Sequence, residues 1–277
     1  ILFSGLLAGN ENGSVGQRSS AVQGTVAIRH PFNPNQIFIL TSDEALSSAD
    51  VGVNYSILDL TTYTVTNPKR LRDNNGNYYR ATEQIEATFH SNGYDVWILV
   101  RQSGKANKAD FQNFYSYKLT CTGLDTVPVV SNTGPVLAGF WTDNYERGAL
   151  KASWDGTKVA AVNDIPGWDD FDDNLMVMDF NNATGVLSNA KPSSAQWGVW
   201  SWQGATYDRF YDCEWAPDSK GLYPATIGRM GAMYWCDASL GTSAAIYASI
   251  KPTGVTGPEA GDLKLGAFTS LVNVEDN

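Results

Sequence analysis

What most restricts this chain is a beat. Four times a turn rich in Asn, Asp or Gly runs straight into a short apolar strand. Asn33-Pro34-Asn35 precedes Gln36-Ile37-Phe38-Ile39-Leu40, and Asn92-Gly93-Tyr94-Asp95 precedes Val96-Trp97-Ile98-Leu99-Val100. Asp155-Gly156-Thr157 precedes Lys158-Val159-Ala160-Ala161-Val162, and Asp218-Ser219 precedes Gly221-Leu222-Tyr223. Such turn residues tolerate positive φ or close Asx-turns, as a tight hairpin requires. The first apolar residues after the turns, Ile37, Val96, Val159 and Leu222, are 59, 63 and 63 residues apart. A fixed period over the whole chain marks stacked repeat units.

Each unit carries further strand-like runs. Before the turns stand Thr25-Val26-Ala27-Ile28, Gln84-Ile85-Glu86-Ala87-Thr88, Leu150-Lys151-Ala152-Ser153-Trp154 and Tyr211-Asp212-Cys213-Glu214-Trp215. Third strands are expected over residues 53–60, 113–119, 175–180 and 232–237, and outer ones at Thr64-Val65, residues 127–130, Val186-Leu187 and Ala245-Ile246-Tyr247. Pro128 suits an outer edge, where a missing N–H breaks no ladder. Helical periodicity is nearly absent. Four antiparallel strands per unit of about 60 residues is the grammar of an all-β β-propeller blade, longer than a WD40 blade of roughly 40–45 residues. A pair of β-sandwiches gives short strands too, but no such beat. The expectation is one propeller domain over residues 1–277, five to seven blades if closed. Ile1-Leu2-Phe3 and Gly261-Asp262-Leu263-Lys264-Leu265 read as parts of further blades, so that the chain begins or ends inside a blade.

The net charge of −10 and the 17% of charged residues remove the counterion-release driving force for nucleic acid, which is excluded as a partner. No run approaches the roughly 20 apolar residues of a membrane-crossing helix. His30 and His90 are 60 residues apart, and Cys121, Cys213 and Cys236 form no CxxC pair, so zinc sites built from His and Cys are not expected. The odd cysteine count fits a Cys213–Cys236 disulfide with one free thiol, or three buried small hydrophobes.

Three stretches resemble a known family. Residues 150–160, LKASWDGTKVA, are similar to a blade opening "LKxSxDGxKxA", and residues 179–189, DFNNATGVLSN, to "DFDNATGxLSN". Residues 211–223, YDCEWAPDSKGLY, resemble "YGxEFSPDSKxLY". These are the blade turns of propeller regions in large surface proteins of Bacteroidetes exported by the type IX secretion system, often labelled gliding-motility-associated. The segments Ser19-Ser20-Ala21-Val22-Gln23-Gly24 and Tyr55-Ser56-Ile57-Leu58-Asp59-Leu60 fit the same pattern, whereas Ala267-Phe268-Thr269-Ser270-Leu271 departs from the "PDGKIY" expected there. The resemblance implies a secreted or cell-surface scaffold or adhesion module whose partners are other surface or assembly proteins. It transfers no catalytic or cofactor-binding residues.

Two constellations stand out beyond the repeat. Asp169, Asp170, Asp172 and Asp173 crowd one loop and read either as oxygen ligands for calcium or as a solvated turn. Trp200 and Trp202 share strand parity and read either as a stacking platform for glycans or as filling between blades. A glycosidase would need two carboxylates, for which Glu86 or Glu214 with Asp212 can be nominated, and His90 sits in a turn. The leading expectation is a non-catalytic surface propeller. The alternatives are a carbohydrate-active propeller and a structural subunit of a filament or particle. A deep central pocket lined by several carboxylates and indoles would favour carbohydrate chemistry, and a channel lined by small residues with apolar patches on the rim would favour the scaffold.

Overall fold

The computed structural model describes residues 24–42, 52–136, 146–163, 175–193, 209–227, 231–257, 263–265 and 271–273. Four antiparallel sheets follow one another. The first holds β1 (Thr25–Arg29), β2 (Gln36–Thr41) and β3 (Asn54–Asp59), with β4 (Thr64–Val65) and β5 (Lys69–Arg70) both paired to β3. The second runs from β6 (Ala81–Phe89) through β7 (Val96–Gln102) and β8 (Asn113–Thr120) to β10 (Val129–Asn132), with β9 (Gly123–Leu124) also on β8. The third is β11 (Leu150–Ala152), β12 (Lys158–Val162), β13 (Leu175–Asn181) and β14 (Val186–Pro192). The fourth is β15 (Arg209–Trp215), β16 (Gly221–Ile227), β17 (Gly231–Asp237) and β18 (Lys251–Gly257), and a hairpin of β19 (Leu263–Leu265) and β20 (Leu271–Asn273) follows it.

First strands contact first strands: β6 lies against β1 and β11, and β15 against β11 and β19. Among the described residues they therefore form an inner row, with second, third and fourth strands following outward. This is the β-propeller expected from the repeat.

The middle strands are buried on both faces, which is why they read as continuous apolar runs rather than as alternation. On β7, Val96, Ile98 and Val100 pack with Phe38, Leu40 and Tyr55 of the first blade. The intervening Trp97 and Leu99 pack with Val159, Ala161 and Met178 of the third. On β12 and β13, Ala160, Val162, Leu175 and Val177 turn the other way, onto Phe210, Cys213 and Trp215 of the fourth.

All four signature turns close as Asx-turns. Asn33 Oδ1 accepts from Asn35 N, Asn92 Oδ1 from Tyr94 N and Asp95 N, Asp155 Oδ1 from Thr157 N, and Asp218 Oδ1 from Lys220 N and Gly221 N. Both histidines serve these turns. His30 Nδ1 accepts from Phe32 N and Asn33 N, and His90 Nδ1 from Asn92 N while its ring stacks 5.5 Å from Trp97.

One strand expectation fails. Ala245-Ile246-Tyr247 lies in a short helix, α1 (Ser243–Ala248), and the outer strand of the fourth blade is β18. Thr242 caps the helix, its Oγ1 accepting from Ala245 N. The Tyr247 hydroxyl then sits 2.7 Å from the carbonyl oxygens of both Leu175 and Lys191. The helix thus pins the fourth blade to the third, a long-range gain that outweighs the β preference of Ile and Tyr.

Candidate functional site

An innermost strand has no neighbour on its channel side, so its backbone N–H groups there lack ladder partners. Three carboxylates answer this in one way. Glu86 Oε1 accepts from Ala87 N at 2.7 Å, Asp212 Oδ1 from Cys213 N at 2.7 Å, and Glu214 Oε1 from Trp215 N at 2.9 Å. Each side chain folds back onto the next amide of its own inner strand.

The register aligns these residues in two levels. Lys151 pairs with Ala160 and Glu214 with Tyr223, each one residue beyond the first apolar position after its turn. Glu86 pairs with Leu99 and Asp212 with Ala225, each two residues further along. Lys151 Nζ stands 3.8 Å from Glu214 Oε2, both side chains being only 15% exposed. The Trp215 indole N–H, donating to Lys151 O at 2.9 Å, locks β15 against β11.

The four charges are coupled. Burial raises the Glu86 carboxyl to about 7; Lys151 and the Ala87 amide oppose the rise, and Glu214 and Asp212 reinforce it. Burial pulls the Lys151 ammonium down, but Asp212, Glu86 and Glu214 together more than reverse this and hold it above the usual lysine value. The Cys213 thiol, buried and beside Asp212, is raised far out of the nucleophilic range. A carboxyl poised near neutrality beside other carboxylates and a lysine is the arrangement from which acid–base pairs are made. Among the described residues no group of His, Cys, Asp and Glu is placed to hold a metal ion.

The turn end of the barrel presents a different surface. Phe32, Tyr94 and Trp154, from the turns of three successive blades, and Phe89, at the end of β6, are 52, 65, 61 and 69% exposed. The Phe32 and Tyr94 rings lie 6.0 Å apart.

Asp169, Asp170, Asp172, Asp173, Trp200 and Trp202 lie outside the described residues. The nominated Glu86, Asp212 and Glu214 do come together, and Lys151, which the sequence marks only as part of a blade opening, sits among them. Superimposing the repeats would have found it, because Lys151 and Glu214 occupy equivalent inner-strand positions. The cysteines are all free, which corrects the disulfide reading. Cys213 and Cys236 are buried in the core, whereas Cys121 is exposed, so three buried hydrophobes is wrong as well.

No protein-family model matches the sequence, and no curated protein matches it. Solved structures do. The periplasmic gluconolactonase PpgL of Pseudomonas aeruginosa aligns at 18% identity and a TM-score of 0.52, covering 86% of this chain and 61% of that one. A putative 6-phosphogluconolactonase from Bacteroides uniformis aligns at 10% identity and a TM-score of 0.45, over 86% of this chain and 59% of that one. The Dos1 propeller aligns at 10% identity and a TM-score of 0.46, over 85% and 47%. The chain thus spans between 47% and 61% of the length of these three. At such identities the likeness is one of fold, and the fold is the β-propeller.

Proposed function

We propose that this chain is a non-catalytic binding propeller, a scaffold or adhesion module of an exported, cell-surface protein assembly. The observation that carries the reading is the rim of exposed aromatic rings, Phe32, Phe89, Tyr94 and Trp154, contributed by three adjacent blades at one end. Single exposed apolar residues need no explanation, but rings gathered from successive repeats mark an interaction surface. The three inner carboxylates support it from the other side, since each is engaged by its own strand's amide. Setting and export rest on the likeness of the blade turns to Bacteroidetes surface proteins, and the partner is another surface protein of such an assembly.

A second reading has one specific observation in its favour. Glu86 raised to about 7 beside Lys151, Asp212 and Glu214 provides an acid and carboxylates, the apparatus of a carbohydrate-active centre. The two readings separate in one experiment. Binding of the purified protein to the outer surface of the source cells is compared for wild type, Phe89→Ser/Trp154→Ser and Glu86→Gln. The scaffold reading expects the rim variant to lose binding at least tenfold and Glu86→Gln to keep it. Loss in Glu86→Gln alone, with turnover of a glycan by wild type, replaces it with the second reading.

A further inference from the structure

Away from the aromatic rim, at the opposite ends of β6 and β7, lies an open cleft of about 430 Å³. Its walls are the segment between β5 and β6 and the one after β7, and they include Asp73, Arg80, Gln102, Ser103, Lys105 and Asp110. The volume falls in the range of small-molecule sites.

The cleft carries charge of both signs. Arg80 and Lys105 line the cleft. Arg72 and Arg70 stack on the ring of its wall residue Tyr78, with guanidinium carbons 3.9 and 4.9 Å from the centroid. Lys108 opens the single 3-10 turn at its edge. Two cations, Arg80 and Lys105, therefore share the cleft lining with two carboxylates, Asp73 and Asp110. Both carboxylates already accept hydrogen bonds within their own loops, Asp73 from the amides of Asn75 and Asn77 and Asp110 from the Asn107 side chain. Behind the wall, Glu83, Arg101 and Glu146 are fully buried.

A buried carboxyl lies behind one wall. Ser103, a wall residue, donates its hydroxyl to Glu146 Oε1, while Glu146 Oε2 is buried with no hydrogen-bond partner. That carboxyl is fully buried and outside the cleft lining, so it acts on the cleft only by orienting Ser103. Burial raises this carboxyl to about 7, against the pull of Ser103, Lys105 and Arg80, so its opposition to a bound anion is partial at neutral pH.

We propose that this cleft binds an acidic saccharide, with the acid group held by Arg80 and Lys105 and the hydroxyls by Asp73 and Asp110. Cations alone would serve any anion. The carboxylate acceptors between them call for a ligand that also carries hydroxyl donors, which a sugar acid supplies and a simple oxyanion does not. The site is separate from the aromatic rim and from the central carboxylates, so its occupancy does not depend on either reading of the function.

Titration calorimetry on the purified protein tests this with D-glucuronate, D-glucose and inorganic sulfate as probes. Glucuronate binding that weakens with added salt is expected, with glucose and sulfate each at least tenfold weaker. Lys105→Ala and Arg80→Ala each raise the glucuronate Kd about tenfold, in line with the loss of one charge-assisted hydrogen bond. Ala106→Trp, which plugs the cleft from an exposed position without touching a charge, abolishes binding with an unchanged melting temperature. Absence of glucuronate binding, equal affinity in wild type and the Ala106→Trp variant, or sulfate or glucose binding as tightly as glucuronate would each overturn the assignment.

Discussion

The indole N–H of Trp97, in the second blade, donates to the carbonyl of Asn182, in the β13–β14 turn of the third, at 2.8 Å. The same carbonyl accepts from Ser91 N at 3.1 Å, so one turn of one blade is clamped by two donors of its neighbour. Gly185 completes the joint. Its φ is +77°, and a Cβ there would stand 2.7 Å from the Trp97 ring.

Gly185→Ala meets both a left-handed backbone and an occupied space. It is expected to cost about 2 kcal/mol or more in urea denaturation, combining backbone strain with overpacking. Trp97→Phe, which keeps the ring but removes the donor, should cost about 1 kcal/mol plus whatever volume is lost. Equal stabilities of wild type and Gly185→Ala would show that this joint does not hold the blades together.

Stability should fall as pH rises across the neutral range. Glu86 titrates near 4.5 when unfolded and about 7 when folded, so between those values the folded state holds a proton that the unfolded state has lost. Its contribution is complete below 4.5 and is lost as pH climbs through 7. Glu146 follows the same direction between its ordinary 4.5 and about 7. Glu86→Gln should flatten part of the decline in melting temperature over that interval and leave the protein more stable than wild type at alkaline pH. A decline as steep in Glu86→Gln as in wild type would remove Glu86 from this role.

Lys151 is the single cation coupled to three inner carboxylates. Lys151→Met leaves them uncompensated and is expected to destabilise by about 3 kcal/mol at neutral pH, the scale of breaking a largely buried ion pair. The loss should shrink in acid, and Lys151→Met/Glu86→Gln should recover part of it at neutral pH. A purely additive double variant in chemical denaturation would contradict the coupling.

Thiol labelling reads the cysteine placement. Cys121 is exposed, whereas burial raises the thiols of Cys213 and Cys236, the latter to about 12. A maleimide should therefore add once to the native protein and three times after unfolding, as read by intact mass. Rapid native addition at all three would place the two core cysteines wrongly.

Tyr247→Phe tests the helix that replaces an expected strand. Two buried carbonyls, of Leu175 and Lys191, lose their hydroxyl partner, at a cost of about 1–2 kcal/mol. A variant as stable as wild type would mean that α1 is held by its apolar contacts alone.

Most of the blade plan was legible because it is local. Asx residues closed the four turns where their side chains predicted, and the β-branched runs after them became second strands, because hairpin geometry depends on neighbours a few residues away. Ala245-Ile246-Tyr247 was not legible. Its conformation is decided by the Tyr247 hydroxyl reaching carbonyls 72 and 56 residues distant.

The channel shows the same division. The residues Glu86, Lys151, Asp212 and Glu214 are written in the chain, and so is their spacing within the repeat. That they share one region follows from blade packing, which brings β6, β11 and β15 side by side and leaves β6 and β15 with amides that Glu86, Asp212 and Glu214 satisfy. By itself, then, the sequence determined the unit, its strands and its turns. The tertiary structure decided which charges meet, which cysteines are buried and which aromatic rings remain outside, since burial and charge coupling arise only when distant segments exclude water from one another.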